Sequence, residues 1–195
     1  HVTDIIVIDD GSRDGTGRAS RAAGAQVMTH PKNLGKGAAL KTGFLSAQEQ
    51  AYEAVITLDG DGQHAPDDIP RLLAAAREDT LVIGSRMHRP HRMPVIIFFS
   101  NIILSRFISL LCRTPIRDTQ SGFRLLPTQA ACSLACSSRG YEFETEQLIQ
   151  AARKGFSIVE VPVTTIYNKR TPRRTILRDF FSFLRLFLSP RLYRF

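Results

Sequence analysis

Four runs in the first 85 residues read as strands, the first of them without the polar–apolar alternation of a half-exposed strand. They are IIVID (5–9), AQVMT (25–29), AVITL (54–58) and LVIG (81–84). Strands covered on both faces read this way. The segments between them (15–23, 37–50 and 66 to about 77) read as helices. Gly24 suits a helix end, Pro66 a first turn, and Asp67 and Asp68 the positive end of a helix dipole. This alternation predicts an α/β fold with a mostly parallel central sheet flanked by helices.

The pattern then changes. Residues 94–112 predict a long apolar helix with a narrow polar stripe at Asn101, Ser105 and Ser109. A polar loop at 118–122, a short strand at 123–126 and a helix after Pro127 follow. Next come a helix at 143–154 closed by Gly155 and a strand at 157–166, where Pro162 implies an edge or a bend. A last helix at 175–188 places Arg174, Arg178, Ser182 and Arg185 on one face, with Phe180, Phe181, Phe183, Leu184 and Phe187 filling the rest. No apolar run reaches transmembrane length, because Ser100, Asn101, Ser105 and Arg106 interrupt the longest. The 195 residues suffice for one domain with a core.

The formal net charge of +8 points to an anionic partner: nucleic acid, an anionic membrane surface or phosphorylated substrates. Acids gather in the first 80 residues, and Arg and Lys crowd the chain from Arg86 onward. A nucleic-acid partner is not expected. There is no recognition motif and no Trp, and few aromatics interleave with the arginines. Cys112, Cys132 and Cys136 form no paired framework, which fits a reducing compartment; the last two read as core filler.

The chemistry-bearing motifs sit at predicted strand ends. VITLDGDGQH (55–64) closes the third strand with Asp59 and Asp61, separated by Gly60. Two such acids repel unless a cation lies between them, and hard oxygen ligands suit Mg²⁺ or Mn²⁺ with a diphosphate. The plainer reading is a solvated Asp-Gly turn. Asp9 and Asp10 close the first strand, where acids can accept from a base and a ribose, or cap the next helix. Asp14, Gly15 and Thr16 fit a cap. NLGKGA (33–38) has the make-up of a phosphate-binding helix start through Lys36 and Gly37, or of a glycine-eased helix start with an exposed lysine. Arg86 after the fourth strand can reach a phosphate or be solvated. Glu142, Glu144 and Glu146 offer a general base or helix-dipole partners. The basic stretch 168–174 suits closure over a diphosphate or contact with anionic lipid; the amphipathic helix behind it favours lipid.

Six segments stand in one order: IVIDDGSRDGT, NLGKGAALKTGF, ITLDGDGQHAPDDI, IGSR, DTQSGFRLL and YEFETEQLIQAARKGFSIVEVPV. Together they resemble glycosyltransferase family 2, and within it the polyprenyl- or dolichyl-phosphate mannosyl- and glucosyltransferases. The resemblance implies a GT-A, Rossmann-like nucleotide-sugar-binding fold and inverting transfer of a hexose from a GDP- or UDP-sugar to a polyprenyl phosphate, with Mg²⁺ or Mn²⁺. By position, Asp9 and Asp10 match acids that hold base and ribose. Asp59 and Asp61 match the DxD pair, Gln63 a glutamine of the metal shell, and Arg86 an arginine between donor and lipid phosphates. Lys169, Arg170, Arg173 and Arg174 match a loop that closes over the donor. A lipid phosphate needs no general base; a sugar hydroxyl would need one, and Glu144 or Glu146 would be the candidate.

Two departures accompany the resemblance. The family opens with a strand and a Pro-x-Tyr/Phe-Asn-Glu turn, so residues 1–195 are expected to be a single GT-A domain lacking its first strand–helix unit. Relatives carry arginines after the Met-Pro pair; here Ile96, Ile97, Phe98 and Phe99 follow, leaving Arg89 and Arg92 upstream to meet lipid phosphate. The expected catalytic residues are Asp59, Asp61 and Arg86. The substrate-binding set is Asp9, Asp10, Lys36, Gly37, Gly60, Gln63, Arg92, Arg170 and Arg173, and the metal set is Asp59, Asp61 and Gln63. The helices at 94–112 and 175–188 are expected to pack side by side and face the bilayer. The expected location is the cytoplasmic face of a membrane, held peripherally or by segments outside this chain.

Overall fold

The computed structural model describes residues 4–88, 95–134 and 136–166. Arg89, Arg92, Pro94, the basic stretch with Lys169, Arg170, Arg173 and Arg174, and the helix expected at 175–188 lie outside the described residues.

The elements run β1 (Ile6–Asp9), α1 (Thr16–Ala22), β2 (Gln26–Thr29), α2 (Lys36–Glu49), β3 (Ala54–Thr57), α3 (Ile69–Ala75), β4 (Thr80–Ser85), α4 (Val95–Cys112), β5 (Arg124–Pro127), α5 (Thr128–Ser133), α6 (Glu142–Arg153) and β6 (Ser157–Pro162). A 3₁₀ turn at Pro66–Asp68 leads into α3. Asp14 prepares α1 as expected, its Oδ1 accepting from the Thr16 N–H at 3.1 Å and hydroxyl at 2.6 Å.

β1 and β2 pair in parallel. The other four strands lie in the order β3–β5–β4–β6, and β4 and β6 are parallel. β5 runs antiparallel to both β3 and β4. The fold is thus α/β as expected, with one reversed strand in its middle. β6 takes the edge position that Pro162 implied, because proline cannot donate to a further strand.

The four-stranded sheet is covered on both faces, which suits the apolar runs at 54–58 and 81–84. On one face Leu81, Ile83 and Leu126 pack with Phe44, Ile108, Leu148 and Ile149. On the other, Val82, Phe123 and Leu125 pack with Leu72 and Val163. Cys136 and Cys112 belong to the first cluster, and burial pushes their thiols up to about 12 and about 11. Cys132 packs against that cluster too, as core filler would.

Helix α4 buries Ile108 and Cys112 in the core and turns a polar stripe inward beside them. Asn101 Nδ2 donates to Asp118 Oδ1 at 3.0 Å, and Ser105 Oγ accepts from the Thr119 N–H at 3.2 Å. Ser109 Oγ donates to the Ile116 carbonyl at 3.0 Å. The apolar side chains Phe99, Ile103, Phe107 and Leu110 face outward, Ile103 and Leu110 being 71% and 74% exposed. Among the described residues no helix is long and apolar enough to cross a membrane.

Leu126, fully buried on the central strand, tests this layering. Leu126→Ala is expected to lower stability by about 2–5 kcal/mol, read as a lower urea midpoint with an unchanged slope.

Candidate active site

The reversed strand builds the site. β3 and β4 both oppose β5, so they point the same way, and Asp59 after β3 and Arg86 after β4 emerge at one sheet edge. The loop 118–122 reaches the same edge because β5 starts there, with Arg124 paired to both Thr57 and Ile83.

Asp59 is the centre of this edge. Its Oδ1 lies 2.6 Å from Lys36 Nζ, and its Oδ2 faces His64 Nε2 at 3.6 Å. Lys36 Nζ also lies 2.8 Å from Glu144 Oε1, so one ammonium joins two carboxylates. Burial pushes the Asp59 carboxyl up, but His64 and Lys36 outweigh it and hold it below the usual carboxylate range. Burial likewise opposes the charge on Lys36, and Glu144 and Asp59 reverse this, raising its pKa. Gly122 lets the two carboxylates meet: a Cβ there would lie 2.8 Å from both Asp59 Oδ2 and Glu144 Oε1.

Asp61 is more open. Its carboxylate accepts from the Gln63 N–H at 3.0 Å and from Gln63 Nε2 at 2.8 Å. Asp59, Asp61 and Gln63 thus present oxygen donors on one short turn beyond β3. Among the described residues no three His, Cys, Asp or Glu side chains form a metal cage. Two carboxylates and an amide oxygen suit an ion such as Mg²⁺, which takes few protein ligands and completes its shell with water and substrate phosphate.

The helix start at Lys36 takes a different form from the expected phosphate cradle. Its backbone donors are used within the protein. Leu34 N–H and Gly35 N–H donate to Asp10 at 2.9 and 2.8 Å, and Gly37 N–H donates to the Arg139 carbonyl at 2.7 Å. A Cβ at Gly37 would strike the Ser138 carbonyl. Lys36, read as a phosphate ligand or an exposed lysine, instead lies between carboxylates. Asp10 also meets His30 Nδ1 at 2.7 Å, so it latches the loop before α2. Burial pushes its carboxyl up, and the Leu34 N–H and His30 bonds more than offset that. Asp9 accepts from the Ser12 N–H at 2.9 Å and packs against Gly17.

Arg86 is bidentate on Asp118, with Nε to Oδ2 and Nη2 to Oδ1 both at 2.8 Å. The Arg86 N–H donates to the same carboxylate at 2.9 Å. Among the three glutamates, Glu144 reaches the centre. Glu146 is taken by the Ser137 and Ser138 N–H groups at 2.9 and 2.8 Å, and Glu142 accepts from the Gly140 N–H at 3.3 Å. Sequence reasoning missed three participants: Gly122, His64 and Arg124. The signal for Arg124 was an arginine inside an otherwise apolar strand. His64 stood beside the acid pair, and its ring packs 5.2 Å from that of Phe123.

The fold is of the GT-A type. It matches glucosyl-3-phosphoglycerate synthase from Mycobacterium tuberculosis, solved with Mn²⁺, UDP and glucosyl-3-phosphoglycerate, with a TM-score of 0.69. The two are 21% identical, and the match covers 92% of this chain and 64% of that one. The family profile described as Glycosyl transferase family 2 matches residues 2–130, and the chain belongs to that family. Similar proteins include the undecaprenyl-phosphate mannosyltransferase of Micrococcus luteus, 34% identical over 84% of this chain and 72% of the relative. Another is the UDP-N-acetylglucosamine–dolichyl-phosphate N-acetylglucosaminyltransferase of Methanococcus voltae, 32% identical over 94% of this chain and 84% of the relative. The polyprenol monophosphomannose synthase of Mycolicibacterium smegmatis is 36% identical over 82% of this chain and 65% of the relative.

The Arg86–Asp118 pair gives a pH test. Burial pushes the Asp118 carboxyl up, and the Arg86 guanidinium reverses this, holding it below the ordinary value. Its stabilisation is therefore present above about pH 4, the ordinary carboxylate range, and fades as pH falls. Asp118→Asn should cost about 3–5 kcal/mol at neutral pH by removing the buried carboxylate that holds Arg86. Urea unfolding between pH 7 and pH 3 should show a flatter pH dependence in the variant than in the wild-type chain.

Proposed function

We propose that this chain is the catalytic domain of an inverting hexosyltransferase that moves a sugar from a GDP- or UDP-sugar to a polyprenyl or dolichyl phosphate at a membrane surface. The observation that carries the acceptor class is the ion pair between Lys36 and Glu144. A hydroxyl acceptor needs a base, whereas a phosphate arrives ionised. Glu146 is committed to the backbone at 137–138 and Glu144 to the Lys36 ammonium, so both carboxylates already have partners within the protein. The names of the similar undecaprenyl- and dolichyl-phosphate transferases support the same class.

In this reading Asp59, Asp61 and Gln63 would hold Mg²⁺ or Mn²⁺, with Gly60 in the same turn. Such an ion, when bound, would supply positive charge for the leaving diphosphate. The acceptor phosphate oxygen forms the new bond to the anomeric carbon from the face opposite the departing diphosphate. Arg86, fixed by Asp118, is assigned to position phosphate, and Arg92, Arg170 and Arg173 to add positive charge around donor and acceptor. Asp9 and Asp10 are assigned to the nucleotide end, Asp10 by holding the 33–35 loop. Lys36 and Gly37 belong to the same wall, as a carboxylate partner and as a point of close backbone approach.

The decisive test is sugar transfer by the full-length protein, supplied with Mn²⁺ or Mg²⁺, UDP- and GDP-sugars and a short polyprenyl phosphate. The expected result is a metal-dependent glycolipid, with Asp61→Ala reducing the rate at least a hundredfold. Donor hydrolysis without glycolipid would move the acceptor to a glycan hydroxyl. Nucleotide binding without metal or turnover would favour a non-catalytic module.

The outward apolar stripe of α4 supports membrane contact, with exposed Arg106, Arg113 and Arg117 near it to meet anionic headgroups. The chain should float with anionic vesicles at low salt, and the Ile103→Glu, Leu110→Glu double variant should lose most of that binding. Equal flotation of the two would reject this face as the contact.

A further inference from the structure

A positive charge already sits on the acid expected to receive the metal. Lys36 Nζ lies 2.6 Å from Asp59 Oδ1 and 2.8 Å from Glu144 Oε1, with its side chain 18% exposed. The backbone around it is held at two points, by the Gly35 N–H on Asp10 and the Gly37 N–H on the Arg139 carbonyl. Only the side chain has freedom to respond. Its ammonium also lies 5.4 Å from the centre of the Tyr141 ring.

A divalent ion on Asp59 would stand within a few ångström of this ammonium. Like charges at that separation repel strongly in a partly dry site. The repulsion is relieved if the ammonium leaves Asp59, and it leaves readily only when another anion takes it. The diphosphate of a nucleotide sugar is such an anion, and it arrives at this same edge if the proposed function holds. Lys36 can keep Glu144 and exchange Asp59 for a phosphate oxygen by rotating its side chain.

We propose that Lys36 is a resident counter-ion that competes with the divalent ion for Asp59 and thereby couples metal binding to donor binding. Metal alone meets a site already neutralised. Metal with a nucleoside diphosphate meets one in which Lys36 has a new partner. By linkage, each ligand then raises the affinity for the other by the same factor. The inference rests on the metal site assigned under the proposed function.

The test is Mn²⁺ binding to the full chain, followed by electron paramagnetic resonance of the free ion, with and without UDP or GDP. Values are corrected for Mn²⁺ held by free nucleotide. The wild-type chain should bind Mn²⁺ weakly alone and at least tenfold more tightly with the matching nucleotide. Lys36→Gln should bind Mn²⁺ alone at least tenfold more tightly than wild type and lose most of the coupling, while Lys36→Arg keeps the wild-type pattern. Equal or weaker Mn²⁺ binding by folded Lys36→Gln overturns the proposal. Glu144→Gln provides an independent arm, because it leaves the ammonium wholly to Asp59. Its Mn²⁺ affinity without nucleotide should fall severalfold, and an unchanged affinity overturns the proposal even where Lys36→Gln fails to fold. No Mn²⁺ binding by the wild-type chain with either nucleotide would remove the metal site itself, a separate failure.

Discussion

Arg124 holds the candidate site together. Its guanidinium is fully buried and donates to the carbonyls of Ser121 at 2.9 Å, Thr119 at 2.9 Å and Glu144 at 2.7 Å. A fourth bond goes to Gln147 Oε1 at 3.1 Å. Burying a charge is costly unless its hydrogen bonds are made, and here they are made mainly to backbone oxygens. Burial lowers the Arg124 pKa, with Glu144 and Asp118 partly offsetting it. One side chain thus ties the loop before β5 to the first turn of α6. That tie places Glu144 near Asp59, with Gly122 and the Lys36 ammonium between the two carboxylates.

A second buried pair extends the same frame. Asp118 gathers Arg86 from the end of β4 and Asn101 from α4, while its own N–H donates to Glu160 of β6 at 2.8 Å. The polar stripe of α4 is therefore used inside the protein, and its apolar stripe is left facing out. Site and outward face are two consequences of one arrangement. The helix that presents Ile103 and Leu110 also braces the arginine assigned to phosphate. A sugar transferase working on a membrane-borne phosphate would need these two surfaces in fixed relation.

Charge balance at the sheet edge shapes the chemistry. Lys36 bridges Asp59 and Glu144 and offsets the repulsion between them. The same ammonium occupies Glu144, and under the proposed function it would compete with the metal for Asp59. The sequence reading assigned to a missing cation the task of separating the two aspartates. In the folded chain Asp61 accepts from Gln63, and Asp59 also meets the ammonium of a lysine 23 positions earlier in the chain.

Element positions were legible because they depend on local periodicity and caps: the runs at 5–9, 54–58 and 81–84 became strands within a residue or two of their expected ends. The placement of Asp59 and Arg86 at one sheet edge was legible as well, because polar residues after buried strands collect there. The direction of β5 was not. A four-residue strand reads the same either way, and only its partners β3 and β4 decide it. With that direction came everything the 118–122 loop does. The choice of Glu144 over Glu146, and of an inner partner for Lys36, likewise waited on packing. Side chains two residues apart at a helix start diverge in direction, and a lysine finds its counter-ion through space. The sequence alone determined which segments are strands and helices and which carry the acids. The tertiary structure decided which charges face one another, because ion pairs form between residues far apart in the chain only after the core has brought them together.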